Sequence, residues 1–307
     1  MLSRFSQILF CIIGLLGFTL VHAQESTANQ HPLQDRIFAQ DGKELSLSTL
    51  GERVRSASYV FVGEKHDNPR HHLIERELLR MRFANKEMNQ VSRAVFEMLD
   101  ESQDALIAKL QSQMSLEEMR ATLNWPNKGW DWASYGPLFW ESVQHQALNS
   151  GNISRGLISN IYKEGKKVLG EMPRLATALQ QDEKVHAYLL DQIFASHCGL
   201  QSRESLQPML HIQLAKDASM ANAMAATPRS ILIAGGEHVR GATAVPQHVK
   251  KLKPEASTLI IQLVEAKPGK MNAPDYFASI GQADVIWFTE TTPEKDYCAD
   301  VKGRAAQ

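Results

Sequence analysis

Ser58-Tyr-Val-Phe-Val62-Gly-Glu-Lys-His66 and Ser230-Ile-Leu-Ile-Ala234-Gly-Gly-Glu-His238 are two passages built to one plan. Each is an apolar run of strand length followed at once by Gly-x-x-His. In open α/β sheets, ligands bind outside the carboxyl ends of the strands. His66 and His238 are therefore candidate ligands delivered by the same device, and they converge on one ligand if their strands lie close together. The glycines fit positions where the chain turns tightly off the sheet. The first passage runs on into Asp67-Asn68-Pro69. Asn68 suits a helix N-cap and Pro69 the first helical position, so His66 is pinned between a strand end and a helix start. The plainer alternative is that His66 bonds only a loop carbonyl.

Working outward, short apolar runs alternate with longer helix-period segments. Besides Ser58 to Val62 and Ser230 to Ala234, the strand candidates are Arg93 to Met98, Ile153 to Ser159, Thr258 to Val264 and Asp284 to Phe288. Helical periodicity runs over Pro69 to Asn85, Ser102 to Gln113 and Pro137 to Leu148. Near the start, Arg36 to Gln40, Asp41-Gly42 and Glu44 to Leu47 read as a small hairpin. From about Lys163 to Ala226 there is no good strand. The best helix there is Glu204 to Ala226, with Leu206, Leu210, Leu214 and Ala218 at steps of four. The expected fold class is α/β, a mostly parallel sheet flanked by helices, with an all-helical insertion lobe over about residues 163–226.

Glu97 stands near the end of the third strand candidate, where an acid is costly to bury unless it is paired or bound to a metal. Glu64, His66, Glu97 and His238 are thus a candidate set for a divalent metal or for a general base. A salt bridge from Glu97 to Arg240 is the plainer reading. The segment Trp125 to Trp140 holds four of the five tryptophans, which suits either a flat aromatic ligand or a small core beneath the loop. Within it, Tyr135 offers a hard oxygen donor, and tyrosine is a known haem-iron ligand. His71 and His72, in the first turns of a helix, are expected to be solvated. His186, His197 and His211 are expected to be structural, and Met209, Met220 and Met224 to be core.

The ends and the composition set further bounds. Arg4 precedes an apolar stretch from Ile8 to Val21 that closes in Val21-His22-Ala23. This is the pattern of a signal peptide over residues 1–23, cleaved after Ala23, with an uncleaved N-terminal anchor as the alternative. Cys11 lies inside the apolar run rather than just after it, so no lipid anchor is expected. Residues 24–33 read as a disordered polar tail, ahead of one domain over 34–300. With 33 basic and 34 acidic residues, the chain lacks the basic excess that nucleic-acid binding requires. Two cysteines remain after the leader, Cys198 and Cys298. In an oxidising compartment they read as a disulfide, with two separate buried thiols as the alternative.

Taken together, Val62-Gly-Glu-Lys-His-Asp-Asn-Pro-Arg-His-His72, Phe96-Glu-Met98, Trp130-Asp-Trp-Ala-Ser-Tyr135, His197-Cys-Gly199, Gln213-Leu-Ala-Lys-Asp-Ala-Ser-Met-Ala221 and Gly235-Gly-Glu-His-Val-Arg240 resemble the ChaN-like family. That family consists of bacterial haem-binding proteins linked to iron uptake, within a superfamily that includes Tiki and TraB proteins and erythromycin esterases. The resemblance runs from about residue 35 to 290. It implies haem as ligand, tyrosine ligation at a homodimer interface, and a haem-uptake receptor or transport system as partner, in the periplasm or outside the cell. Tyr135 matches the aromatic motif and Tyr162 is its rival, with Arg70 or Arg240 for the propionates. Two departures stand out: there is no lipobox, and Asn160-Ile-Tyr-Lys163 replaces the Asn-x-Pro-Arg that the resemblance leads one to expect. Three functions follow: haem binding, with His66, His238 and Arg240 beside the tyrosine; a metal-dependent hydrolase, esterase- or protease-like, using Glu64, His66, Glu97 and His238; or a scaffold whose motifs only fix the fold. Geometry discriminates between them. Facing histidines and carboxylates favour hydrolysis, and a Tyr135 at a flat apolar surface favours haem.

Overall fold

A computed structural model describes residues 30–84, 92–126, 128–296 and 298–299. The expected signal peptide and most of the polar tail lie outside the described residues. The strands are β1 (Ile37–Ala39), β2 (Tyr59–Glu64), β3 (Ser92–Asp100), β4 (Leu148–Asn152), β5 (Arg229–Gly235), β6 (Thr258–Glu265) and β7 (Val285–Thr289). They form one sheet in the order β1-β7-β6-β2-β5-β3-β4, antiparallel only where β1 meets β7. The helices are α1 (Leu47–Ser56), α2 (Pro69–Phe83), α3 (Asp104–Ile107), α4 (Leu116–Thr122), α5 (Trp132–Val143), α6 (Arg155–Glu164), α7 (Lys166–Glu171), α8 (Glu183–Ser196), α9 (Gln207–Ala225), α10 (Val245–Leu252) and α11 (Pro274–Ile280). This is the mostly parallel α/β sheet that the alternating pattern predicts. Among the described residues, no helix is long and apolar enough to cross a membrane.

Side chains alternate across a strand, and β2 shows what that does here. Val60 and Val62 face a core shared with Leu50, Leu78 and Phe139 of α1, α2 and α5. Tyr59 and Phe61 face the opposite layer, with Met220 and Met224 of α9 and Val249 of α10. Helices therefore cover both faces, and the carboxyl ends of β2, β5 and β3 are left as the open rim. Buried Arg82, at the end of α2, ties the opposite rim together. Its guanidinium donates to the carbonyls of Val54 (2.7 Å), Ala57 (2.6 Å) and Ser58 (2.8 Å).

Four elements differ from the sequence expectation. Ile153 to Ser159 is not a strand, because the Ser154 hydroxyl accepts the Leu157 N–H and caps α6. The strand is the preceding, more polar Leu148–Asn152, at the sheet edge. Tyr162 consequently sits on a helix, not beyond a strand. Helix α5 begins ahead of Pro137 because Asp131 caps the Ser134 N–H at 3.0 Å. The expected helix over Ser102 to Gln113 is reduced to a 3-10 turn and the short α3. The expected N-terminal hairpin is a single bridge, Phe38 to Glu44, beside β1. From α6 through α9 the described chain contains no strand, and it packs around its own core of Leu157, Ile161, Leu175, Leu189 and Leu214. Cys198, just past α8, is joined to Cys298 by a disulfide with a Cα–Cα distance of 5.7 Å.

Candidate functional site

β5 lies between β2 and β3, and its register sets Glu64 opposite Gly235 and Phe96 opposite Ile233. Both Gly-x-x-His passages therefore end at the same level, with Glu97 one residue past Phe96. The two glycines at the heads of the motifs make that convergence possible. A Cβ on Gly235 would lie 2.7 Å from His66 Nε2, so the glycine of the second motif makes room for the histidine of the first. A Cβ on Gly63 would lie 3.1 Å from Gly236 Cα and closer still to the Gln262 amide. Asn68 caps α2 through the Arg70 N–H at 2.9 Å, with Pro69 following as expected.

The side chains form a chain of contacts. His66 Nδ1 donates to Glu64 Oε1 at 2.8 Å, and the Tyr135 hydroxyl donates to the same oxygen at 2.8 Å. His66 Nε2 is 3.8 Å from Glu97 Oε2, which accepts the Gly235 N–H at 2.9 Å. Glu97 Oε1 is 3.3 Å from His238 Nε2, and His238 Nδ1 is 2.5 Å from Asp217 Oδ1. On the inner side, His72 Nδ1 lies 3.2 Å from Glu64 Oε2 and 3.1 Å from Glu75 Oε2. The edge of Trp130 packs on the His66 ring at 4.7 Å.

Burial and pairing compete at each group. Burial alone would push the Glu64 carboxyl up, but the hydrogen bonds from His66 and His72 hold it at about 2. Glu97 is likewise held far below the carboxylate range, because the charges of His238 and His66 outweigh burial. Burial works against the His238 imidazolium, yet the charges of Glu97 and Asp217 raise it to about 10. Burial also opposes His66, which is raised on balance by Glu64 and Glu97. Glu75 is pushed up to about 8, by burial first and then by the Glu64 charge. Glu64 and Glu97 are thus ionised carboxylates facing imidazoles in a largely dry setting, while Glu75 is held toward its neutral form.

Glu64, His66, Glu97 and His238 are therefore brought together, yet they pair along a line rather than surrounding one point. Among the described residues, the side chains gathered as metal ligands would be are Glu64, His72 and Glu75 instead. Glu97 does not reach Arg240, which bonds the Ser279 carbonyl at 2.9 Å and stacks over Tyr188. Arg70 pairs with Asp35 at 2.8 Å. Tyr135 is 1% exposed, its phenol turned inward. A phenolate there would face Glu64, and burial together with that charge drives its pKa well above the ordinary value. Of the tryptophans, Trp125 and Trp132 are buried with Phe139, so the segment forms a small core rather than a flat open surface.

His71 and His72 are buried, contrary to expectation. His71 Nδ1 accepts the Lys65 N–H at 2.9 Å, and burial lowers its pKa to about 4. Glu75 and Asp217 went unremarked as site residues in the sequence. Both are acids on otherwise apolar helix faces, Glu75 among Ile74, Leu78 and Leu79, and Asp217 between Leu214 and Ala221. An acid in such a stripe is the signal that would have found them. A cleft of about 900 Å³ opens beside Glu64 and is lined also by Lys65, Gly236, Glu237, Arg240 and Gln262.

An α/β sheet with paired Gly-x-x-His turns at neighbouring strand ends places a candidate ligand site there. The chain belongs to the family described as haem-binding uptake, Tiki superfamily, ChaN, whose model matches residues 50–249. It is similar in structure to a ChaN of Campylobacter jejuni described for cofacial haem binding. That likeness has a TM-score of 0.65 and 21% identity, over 82% of this chain and 95% of that one. At this identity the likeness shows a shared fold. The type III effector HopBA1 matches at a TM-score of 0.38 and 10% identity, over 80% of this chain and 93% of that one. That match is too weak to argue from. No curated protein matches the chain.

Proposed function

We propose that this chain binds haem for iron uptake through Tyr162, on a face shared with a second copy of itself. The observation that carries the reading is exposure. Tyr162 is 53% exposed on α6, whereas Tyr59, Tyr135, Tyr188 and Tyr276 all have their hydroxyls engaged in hydrogen bonds. A ferric haem needs an accessible phenolate as its axial donor. Arg155, Ser159 and Tyr162 fall on one exposed stripe at helical spacing, and Gly156 has nothing within 4 Å of its Cβ position. The small residues leave the helix surface flat beside the phenol, and Arg155 and Lys163 supply cations for propionates. A ligand on a convex helix covers only one face of the haem. A second copy of the chain would cover the other, in keeping with family membership and with the cofacial haem described for the Campylobacter jejuni relative. The Cys198–Cys298 disulfide and the leader-like N-terminus support an exported, periplasmic setting.

The test is an absorbance titration of ferric haem into wild type, Tyr162→Phe and Tyr135→Phe, with sedimentation in parallel. Saturable binding with a phenolate-to-iron charge-transfer band, lost in Tyr162→Phe and accompanied by dimerisation in wild type, is expected. A saturable band unchanged in Tyr162→Phe overturns the assignment.

A hydrolytic reading has one observation of its own. His66 Nδ1 is held by buried Glu64 while the side chain remains 38% exposed, with Nε2 3.8 Å from Glu97 Oε2. This is how a general base is oriented by a carboxylate. It requires no metal at Glu64, His66, Glu97 and His238. A His66→Ala variant that retains any ester hydrolysis seen in wild type removes this reading.

A further inference from the structure

At the inner end of the cluster, His72 and Glu75 are used by neither reading. Glu64, His72 and Glu75 each offer one ligand atom, all within 4.8 Å of one another and all buried. His72 Nε2 donates to the His66 carbonyl at 3.2 Å. Nδ1 is turned toward Glu64 Oε2 at 3.2 Å and Glu75 Oε2 at 3.1 Å, where it holds a proton between the carboxylates or, once that proton is displaced, offers a lone pair to a cation. A lone pair facing two carboxylate oxygens is repulsive unless a positive centre lies between them. Moreover, Glu75 Oε1 accepts no hydrogen bond, and Glu64 Oε2 has only His72 Nδ1 beside it at 3.2 Å, although both side chains are 0% exposed. Buried acceptors are ordinarily satisfied, and those that are not call for an explanation.

We propose that Glu64, His72 and Glu75 form a binding site for one divalent ion of the zinc, manganese or ferrous class. One imidazole and two carboxylates are a suitable donor set for such ions. A tetrahedral ion with bonds of about 2.0–2.1 Å holds its donors about 3.3 Å apart, and the observed 3.1 and 3.2 Å need little adjustment. The Nε2–H bond to the His66 carbonyl is the kind of outer contact that orients a ligating imidazole. Glu64 would then be a shared element, with Oε2 toward the ion and Oε1 toward His66 and Tyr135. The ion would fix the carboxylate that orients His66, and buried Glu75 acquires a role that nothing else in the site gives it.

The experiment uses metal-free full-length protein, without haem, titrated with zinc by calorimetry. Zinc-edge X-ray absorption on the loaded wild type counts the imidazole ligands. One zinc per chain, one imidazole in the absorption fine structure, and a loss of affinity in Glu75→Gln beyond the ~10–100-fold typical of an outer partner are expected. Two imidazoles would move the ion to His66 and His238 and overturn the proposal. So would the absence of stoichiometric zinc, which would leave a proton as the positive centre. The absorption measurement needs no variant, so a Glu75→Gln chain that failed to fold would still leave the proposal open to refutation.

Discussion

Replacing Tyr135 by phenylalanine separates the two tyrosines cleanly. The substitution removes one hydroxyl and leaves the ring, whose packing on His72 (4.8 Å), Trp130 (5.7 Å) and Phe139 (6.4 Å) is retained. No cavity of consequence forms, and the loss reduces to one hydrogen bond of 2.8 Å to a buried, ionised Glu64. Hydrogen bonds to charged groups contribute about 1.5–3 kcal/mol, and Glu64 Oε1 keeps His66 as its remaining donor. The expected cost is about 2 kcal/mol, or a fall in melting temperature of about 3–4 °C for a chain of this size. Tyr162→Phe, at an exposed helix position, should change stability by no more than about 0.5 kcal/mol. Urea denaturation and a haem titration on the same three proteins give both readouts. A Tyr135→Phe protein of wild-type stability that had lost its haem spectrum would refute this account, because the phenol would then be serving iron and not Glu64.

Other outcomes follow from the same geometry. The His238 pKa is raised to about 10, so the stabilisation it contributes is complete below the ordinary pKa of 6.5 and is lost as pH rises through about 10. Glu97→Gln removes one of its countercharges and should start that alkaline loss at lower pH. Denaturation midpoints against pH would show it, and superimposable profiles would contradict it. Gly235→Ala places a methyl 2.7 Å from His66 Nε2 and 2.9 Å from its Cε1, which should drive the ring off Glu64 and cost about 1–3 kcal/mol. Unchanged His66 imidazole resonances in the variant would show the fit to be looser than described. Cutting the disulfide, by reduction or by replacing Cys198 and Cys298 with serine, opens a loop with a sequence separation of 100 residues. It should cost up to about 4.7 kcal/mol, and equal unfolding midpoints with and without reductant would contradict that.

What the sequence discloses here is what hydrophobic patterning can carry. β2 and β5 carry continuous apolar runs, Tyr59 to Val62 and Ile231 to Ala234, because helices bury both their faces, so their ends, and His66 and His238 with them, can be placed from composition alone. β4 could not be found that way. Leu148-Asn-Ser-Gly-Asn152 is an edge strand and has little apolar character, while the apolar Ile153-Ser-Arg-Gly-Leu-Ile158 beside it is helical because of one serine cap. The burial of His71 and His72 was also hidden, since it depends on α2 starting directly against the end of β2. Tyr135 illustrates the limit most clearly. Its neighbours in sequence mark it as important, but only the position of Glu64 across the fold determines which way the phenol points.

The place of β5 in the sheet bears on how the molecule comes to exist. β2 and β3 are made early in the chain, but they never touch each other through a strand ladder. Their common neighbour arrives more than a hundred residues later, carrying Gly235 and leading to His238. Until then, two apolar strands wait with unpaired edges, the condition in which chains associate wrongly. Pairings this distant in sequence are slow to form. Glu64, His66 and Glu97 therefore meet His238 and Asp217 only when β5 is inserted between β2 and β3. The pairing of the two motif histidines across Glu97 is thus completed only by the last third of the chain.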